Sequence, residues 1–157
     1  MLKIFQAETK EDIKIVRALF EEYADSLGFD LCFQNFEEEL ANLPGCYARP
    51  EGCILLARYN EEIAGCVALR KLSDGICEGK RLCVRPQFRG LKIGRKLVEA
   101  IIAEARRIGY SSIRGDTVPS MQIAQALYAS LGFKEIEPYC RNPVEGAKFI
   151  ELSLVSQ

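Results

Sequence analysis

The chain has 157 residues, of which 48% are hydrophobic and 27% charged, and its net charge is −1 at pH 7. These values are typical of a globular protein and exclude a disordered chain, so we predict a single domain over residues 1–157. The balanced charge disfavours a nucleic acid as partner. No apolar run approaches the roughly 18 residues of a membrane-spanning helix, so we expect no membrane partner either.

The first half of the chain is predicted to contain a strand, two helices and three more strands. Thr9 stands three residues before Asp12, which is the spacing of a capping box, and apolar residues at helical spacing follow it. Two later apolar runs flank the polar turn Asn60–Glu62, which is typical of a hairpin. The predicted elements cover residues 2–7 (strand), 10–27 and 34–42 (helices), and 53–59, 63–69 and 76–84 (strands).

The second half is predicted to alternate helices with strands. Apolar residues recur at helical spacing from Ile93 to Ile108, and Gly109 stands where a helix C-cap glycine belongs. Pro119 is predicted to open another helix at its first turn, and Gly132 to end it. Strands are predicted near residues 111–114, 133–137 and 147–155. The order βααβββαβαββ predicts an α/β (α+β) protein with layers of helices on a sheet.

The cysteines and the absence of histidine limit the chemistry that the chain can perform. No two of the seven cysteines have C-x-x-C spacing, so we expect free thiols and no metal site. Without histidine, Ser-His-Asp and Cys-His hydrolase mechanisms are excluded, and catalysis must use carboxylates, tyrosine, thiols, backbone groups or water. The N-terminus lacks the features of a signal peptide, so we expect a cytoplasmic protein.

Positive charge is concentrated in one predicted strand–turn–helix segment. No acidic residue lies between Glu78 and Glu99, and seven of the 21 Lys and Arg residues fall within residues 80–96. A helix N-terminus offers unpaired amides and the positive end of the dipole, and Gly90 and Gly94 leave room for a phosphate. Neither a P-loop nor a G-x-G-x-x-G sequence is present. A phosphate site and a solvated basic helix start both remain open.

Two motifs resemble those of the GCN5-related N-acetyltransferases (GNAT family). The sequence Arg89-Gly-Leu-Lys-Ile-Gly resembles the acetyl-CoA-binding motif [QR]-x-x-G-x-[GA], with Lys92 in place of the middle glycine. The sequence Ala126-Leu-Tyr-Ala-Ser-Leu-Gly-Phe resembles the family's A-x-x-L-Y-x-x-x-G-F segment. The motifs occur in the family's order and at about the family's distance. The resemblance covers nearly the whole chain and implies the GNAT fold, a mixed central sheet with helices on both faces.

The resemblance implies where acetyl-CoA binds. In the family the cofactor lies where two parallel strands splay apart, here the strands that end near Val84 and Asp116. The backbone of Leu82 and Val84 would pair with the pantetheine arm like an added strand. Lys92 would be helical with its side chain turned outward, so that its amide still points at the phosphate. The residues assigned to the cofactor are Leu82, Cys83, Val84, Arg89, Gly90, Leu91, Lys92, Ile93, Gly94 and Arg95.

The resemblance also suggests groups that assist the transfer. Tyr128 would protonate the leaving thiolate, as the family's matching tyrosine commonly does, and a core aromatic is the alternative. The backbone N–H of Val84 would stabilise the oxyanion of the tetrahedral intermediate.

Two carboxylates are candidates for the general base. Glu78 is the first, because it lies near the start of the strand that contacts the thioester and no histidine competes with it. Strand alternation places Glu78 on the face of Leu82 and Val84 unless a bulge near Gly79 intervenes, and an exposed surface carboxylate is the alternative. Asp116 is the second candidate, with helix N-capping as its alternative.

The function implied by the resemblance is transfer of an acetyl group from acetyl-CoA to a primary amine of a small molecule or peptide. Transfer would be direct, within a ternary complex. A non-catalytic acyl-CoA-binding module on the same fold is the alternative. The first helices and the segment 139–146 are expected to recognise the acceptor, and either Arg141 or Arg70 would bind a carboxylate. Whether the protein assembles as a homodimer stays open.

Overall fold

The computed structural model describes residues 1–27 and 35–155, and the strands of this part form one seven-stranded sheet. The helices are α1 (Lys10–Ser26), α2 (Phe36–Ala41), α3 (Ile93–Ile108) and α4 (Gln122–Ser130). The strands are β1 (Leu2–Gln6), β2 (Cys53–Tyr59), β3 (Glu62–Ser73), β4 (Ile76–Val84), β5 (Ser112–Thr117), β6 (Lys134–Ile136) and β7 (Lys148–Ser153). The predicted order of elements is confirmed. Residue 34, the first of the predicted second helix, lies outside the described residues.

The sheet is mixed, with the strand order β1-β2-β3-β4-β5-β7-β6. The neighbours β4 and β5 are parallel, whereas every other described pair is antiparallel. The strands β4 and β5 pair only where Ile76–Glu78 lies beside Ser112–Arg114. Beyond these residues the two strands diverge, so a groove opens between the rest of β4 and the end of β5.

Helices bury an apolar core on each face of the sheet. On one face, α3 packs its apolar stripe on the strands, and this core includes Leu55, Val67, Leu69, Leu97 and Ile101. On the other face, α1 and α2 form a smaller core with β2 and β3, and this core includes Leu19, Phe20, Phe36, Ile54 and Leu56. We call these the α3 face and the α1 face. The arrangement agrees with the predicted helices on both faces.

Local signals explain most of the helix ends. The hydroxyl of Thr9 accepts a hydrogen bond from the Asp12 amide at 3.0 Å, and the Asp12 carboxylate accepts from the Thr9 amide, so the predicted capping box is confirmed. Gly109 ends α3 with a φ of 110°. The start of α4 differs from the prediction: Met121 is its N-cap, and Pro119 lies in the turn before it.

A β-bulge at Arg81 changes which face the residues of β4 occupy. Arg81 has a φ of 61°, and the register of β4 against β3 shifts beside it. Leu82 and Val84 therefore pack on the α3 face, whereas Glu78 and Cys83 lie on the α1 face. The expectation that Glu78 shares a face with Leu82 and Val84 is thus wrong, and the bulge lies two residues later than Gly79.

The six cysteines in the described part of the chain are free thiols, and Cys32 lies outside it. None of the helices in this part is long and apolar enough to cross a membrane. Within residues 1–27 and 35–155, no three or more Cys, Asp or Glu side chains are grouped to hold a metal ion.

Candidate active site

The free edge of β4 presents backbone groups to the groove. The amide of Arg85 donates to the carbonyl oxygen of Ala64 in β3 at 2.7 Å, so this N–H points towards β3. Because amides point alternately to the two edges of a strand, the N–H groups of Leu82 and Val84 point the other way, into the groove. An extended ligand can pair with this edge as an added strand. Leu82 and Val84 thus offer unpaired backbone groups to the groove.

The turn before α3 contains two left-handed residues. Gly90 has a φ of 87° and Lys92 a φ of 62°, and α3 begins at Ile93. Lys92 is therefore the N-cap of α3 and has a left-handed conformation. The expectation that it would be a helical residue is wrong. This conformation favours glycine because a Cβ atom is crowded there. It gives a physical reason for the glycine that the acetyl-CoA-binding motif has at this place.

The first turn of α3 offers amides to an anion at the mouth of the groove. The amide of Lys96 donates to the Lys92 carbonyl oxygen at 3.1 Å and so makes the first helical hydrogen bond. The N–H groups of Ile93, Gly94 and Arg95 consequently have no acceptor within the helix. Together with the helix dipole, they favour a phosphate at this end.

The basic side chains of residues 80–96 divide between two places. Arg89 and Lys92 are exposed at the turn and form no ion pair with the described residues. Arg95 donates to the Ser130 hydroxyl at 3.2 Å and so joins the start of α3 to the end of α4. By contrast, Arg85 pairs with Glu22 of α1 at 2.9 Å. Only part of the predicted basic cluster therefore surrounds the proposed phosphate position.

Arg81 is a buried member of the segment whose role the sequence did not reveal. Its guanidinium donates to both oxygens of Glu39 in α2, at 2.9 and 2.8 Å. It also lies over the rings of Tyr23 and Phe36, with its Cζ atom 5.7 and 5.4 Å from the ring centroids. Arg81 thus connects the bulge of β4 with α1 and α2, and its charge is neutralised by Glu39.

Tyr128 lies on α4 beside the inner end of the groove. Its ring packs on Phe133, with centroids 5.3 Å apart, and it lines a cavity of about 30 Å³ together with Gly79 and Asp116. Burial raises the pKa of Tyr128 above its ordinary value of 10.0, and nearby Tyr23 and Asp116 raise it further, so the phenol is protonated at neutral pH. The described residues offer its hydroxyl no hydrogen-bond partner, which leaves the O–H group available to a ligand.

Four charged residues of alternating sign stand side by side across the α1 face. Arg70 in β3, Glu78 in β4, Arg114 in β5 and Glu151 in β7 are register partners in turn, and we call them the charge row. The Nε atom of Arg70 lies 2.8 Å from Glu78 Oε1, and that of Arg114 lies 2.6 Å from Glu151 Oε2. Opposite charges on neighbouring strands stabilise this part of the sheet.

Glu78 is the buried member of the charge row. Its side chain is 2% exposed, so the alternative of a surface carboxylate is wrong. Oε1 accepts from Arg70 and lies 4.0 Å from the Lys80 Nζ atom, while Oε2 accepts from the Tyr139 hydroxyl at 2.6 Å. Burial first, and then Glu78 itself, raises the pKa of Tyr139 far above its usual value, so this hydroxyl remains a donor. Arg70 and Tyr139 thus compete with any amine for the lone pairs of Glu78.

The segment between β6 and β7 is held over the groove by two hydrogen bonds. One joins Tyr139 to Glu78, and the other runs from Asn142 Nδ2 to Asp116 Oδ2 at 3.0 Å. Tyr139 also packs edge-on against Phe149, with ring centroids 5.2 Å apart. Asp116 does not cap α4, so that alternative is wrong. Its Oδ1 atom accepts no hydrogen bond from the described residues.

The structure brings together the residues that the sequence assigned to one site. The free edge of β4, the start of α3, Tyr128 and Asp116 surround the same groove, and Glu78 lies on the α1 face beside it. The sequence assigned the segment 139–146 to the acceptor site, but the contacts of Tyr139 with Glu78 and of Asn142 with Asp116 were not predicted, because a motif does not give the position of a loop.

Comparison with known proteins agrees with this geometry. The model of the acetyltransferase (GNAT) family matches residues 15–133. The chain is 41% identical to an uncharacterized N-acetyltransferase of Schizosaccharomyces pombe, over 98% of this chain and 95% of that protein. Its fold is similar to that of a GNAT acetyltransferase from Staphylococcus aureus, with a TM-score of 0.81 and 22% identity over 99% of this chain and 100% of that one. It is also similar to the PaiA N-acetyltransferase of Thermoplasma acidophilum, solved in complex with coenzyme A, with a TM-score of 0.73 and 15% identity over 98% and 99% of the two chains.

Proposed function

Because the chain belongs to the acetyltransferase (GNAT) family, an acetyl-CoA-dependent family, we propose that it acetylates a primary amine of a small molecule or peptide directly, within a ternary complex. The observation that carries the proposal is the free edge of β4, which leads directly to the N-terminus of α3. An extended arm that ends in a diphosphate fits this arrangement of groups.

The pantetheine arm of acetyl-CoA would lie along the groove. Its amide groups would pair with the backbone of Leu82 and Val84, as a strand pairs with the edge of a sheet. The diphosphate would lie at the first turn of α3, where backbone amides and the side chains of Arg89 and Lys92 are available. This position directs the thioester inward, towards Tyr128.

The chemistry would then proceed by addition and elimination. The amine nitrogen attacks the thioester carbon, and the N–H group of Val84 stabilises the oxyanion that forms. The C–S bond breaks as the C=O bond re-forms, and the thiolate receives a hydrogen bond or a proton from Tyr128. Since the phenol stays protonated at neutral pH, it is in the correct form to donate.

The acceptor must also lose a proton, because only the neutral amine is a nucleophile. Asp116 and Glu78 are the two carboxylates beside the groove. Asp116 has an oxygen that no described residue occupies, whereas both oxygens of Glu78 accept hydrogen bonds. Glu78 remains a proposal for the base, and there the amine would compete with Arg70 and Tyr139 for the carboxylate lone pairs.

Two measurements separate catalysis from mere binding of the cofactor. Acetyl-CoA should raise the melting temperature, because it binds the native state alone. Release of free coenzyme A thiol should then depend on an amine drawn from a broad panel. Stabilisation without amine-dependent thiol release over the whole panel would favour the non-catalytic module instead. If acetyl-CoA left the melting temperature unchanged, both functions would be contradicted.

A further inference from the structure

We propose that the acceptor is a small amino acid whose carboxylate binds Arg70 and whose amine is directed to Asp116. The inference rests on the proposed function and names the substrate class of the same site. It follows from two groups of the α1 face with unused binding capacity, the guanidinium of Arg70 and the carboxylate of Asp116, beside the end of the groove where the thioester would lie.

Arg70 has a guanidinium that is oriented but only partly used. Its Nε atom donates to the buried Glu78 at 2.8 Å, which fixes the plane of the group. The two terminal nitrogens have no acceptor among the described residues, and the side chain is 31% exposed. A guanidinium fork that is held in place and open at its end is suited to a carboxylate, because little side-chain freedom remains to be lost on binding.

Positive charge around Arg70 favours an anion there. Lys80 lies on the same face, opposite Ala68 in the sheet, and its side chain is 12% exposed. Burial lowers the pKa of Lys80, and nearby Arg81 lowers it further, while the carboxylates of Glu78 and Asp116 oppose the shift. The Glu78 carboxylate already accepts from Arg70 and Tyr139. An incoming carboxylate would therefore bind the open terminal nitrogens of Arg70.

A carboxylate with an open oxygen, that of Asp116, lies beside the reacting groups. Asp116 is held by Asn142 through one oxygen, and its other oxygen has no partner in the described part of the chain. It shares a cavity wall with Tyr128, which the proposed mechanism places at the thioester. An ammonium group drawn to Asp116 therefore arrives where it reacts.

The spacing of these two ends fits a small zwitterion. Neighbouring strands lie about 4.8 Å apart with a rise of about 3.3 Å per residue, and Arg70 and Asp116 are two strands and two residues apart. Because β4 and β5 diverge beyond Arg114, their backbones are separated by at least about 12 Å. The long arginine side chain would cover part of this distance, and one small molecule with an amine and a carboxylate would span the remainder.

The reaction balances with the groups named. One ammonium proton passes to the Asp116 carboxylate, and the lone pair of the neutral amine forms the new C–N bond. The C–S bond breaks, and the thiolate takes a proton from Tyr128, so coenzyme A leaves as the thiol. The second proton of the amine nitrogen restores the Tyr128 phenol as the amide forms, and Asp116 then returns its proton to water. The acetylated amino acid has lost its positive charge, so its attraction to Asp116 disappears and release is favoured.

The test uses the full chain, acetyl-CoA and matched acceptors. The panel contains the amino acids, the corresponding amino acid amides and the corresponding decarboxylated amines. We expect at least one amino acid to exceed its amide and its decarboxylated amine by about 10- to 100-fold in kcat/KM. Equal or better use of the amides and amines would overturn the inference while leaving the proposed function intact. If no acceptor is acetylated although acetyl-CoA binds, the proposed function itself fails, and the inference with it.

Variants of Arg70 give a second readout. In Arg70→Gln we expect the KM of the amino acid to rise about 10- to 100-fold and the preference over the amide to vanish, with the KM of acetyl-CoA unchanged. Arg70→Lys should keep part of the preference. Because Arg70→Gln leaves Glu78 buried with fewer donors, the double variant Arg70→Gln/Glu78→Gln provides a folded form without either charge. Arg107→Gln, at an exposed ion pair with Glu104, is the matched control and should behave as the wild type. Retention of the preference in Arg70→Gln would overturn the inference.

Discussion

The Tyr139 hydroxyl donates a hydrogen bond of 2.6 Å to Oε2 of Glu78, across 61 positions of the sequence. This contact joins the segment between β6 and β7 to Glu78, the buried member of the charge row. It therefore couples the position of a loop over the groove to the state of the carboxylate that the sequence proposed as the base.

Tyr139→Phe should destabilise the protein and weaken acceptor binding. The change leaves Glu78 Oε2 buried without its donor, which costs about 1–3 kcal/mol in the free energy of unfolding. The freed segment should also raise the KM of the acceptor and leave that of acetyl-CoA unchanged. Urea unfolding and steady-state kinetics measure the two effects. Tyr59→Phe is the control, since the Tyr59 ring packs on Phe88 and its hydroxyl has no partner in the described part. Equal stability of the two variants would contradict the prediction.

Lys92→Gly should stabilise the protein. Lys92 has a φ of 62°, a conformation that costs a residue with a Cβ atom about 1–2 kcal/mol and costs glycine little. Part of this gain is lost to the greater freedom of glycine in the unfolded chain, so we expect a net increase of about 0.5–1 kcal/mol. Thermal and urea unfolding provide the measurement.

Lys96→Gly is the matched control for that change. Lys96 is an exposed residue within α3, where glycine should cost about 1 kcal/mol. The two substitutions remove the same side chain four residues apart and should act with opposite signs. Destabilisation by both would show that the left-handed conformation of Lys92 is not strained.

Stability should fall as the pH rises above about 9, because buried thiols resist ionisation. Burial raises the pKa of Cys53 and Cys77 from 9.0 to about 12 and that of Cys83 from 9.0 to about 11. Below pH 9.0 these thiols are neutral in both states and their contribution is complete. Above it, the unfolded chain binds fewer protons than the native chain, so the free energy of unfolding decreases by up to about 1.4 kcal/mol per pH unit for each thiol.

Cys53→Ala removes the contribution of one thiol to the loss of stability at alkaline pH. The substitution changes the stability at pH 7, but the informative quantity is the slope of the free energy of unfolding between pH 9 and 11. We expect that slope to be smaller than in the wild type by up to about 1.4 kcal/mol per pH unit. Identical slopes in urea unfolding series would show that Cys53 ionises equally in both states.

The sequence predicted those parts of the protein that local patterns determine. The capping box at Thr9, the glycine end of α3 and the turn at Asn60 and Glu61 depend on residues that are neighbours in the chain. The divergence of β4 and β5, which opens the groove, was expected from the family resemblance that two motifs carry. The expectation that Lys92 is helical was wrong, but it concerned the position at which the motif has a glycine. Glycine is the residue that favours a left-handed conformation.

What could not be predicted depends on contacts between distant residues. The bulge at Arg81 places Glu78 and Leu82 on opposite faces of the sheet. The Arg81 side chain is held by Glu39, which lies 42 positions away in the sequence. The charge row exists only because four strands take a particular register, and no single strand shows its pattern. Alternation along β4 was the correct rule, but one left-handed residue was enough to invert its result.

Tyr128→Phe should lower kcat and spare the cofactor. Removing a group that donates a proton or hydrogen bond to the leaving thiolate should reduce kcat by about 100-fold or more, while the affinity for acetyl-CoA stays within about twofold. Because burial raises the pKa of Tyr128 above 10.0, the phenol stays protonated below pH 10. Ionisation of Tyr128 should therefore cause no loss of wild-type activity as the pH rises towards 10. Tyr110→Phe is the control, because its hydroxyl binds the Glu51 carbonyl oxygen and should affect stability alone. A normal kcat with weakened cofactor binding in Tyr128→Phe would show that the ring only packs, since a group that acts on the leaving thiolate must change turnover.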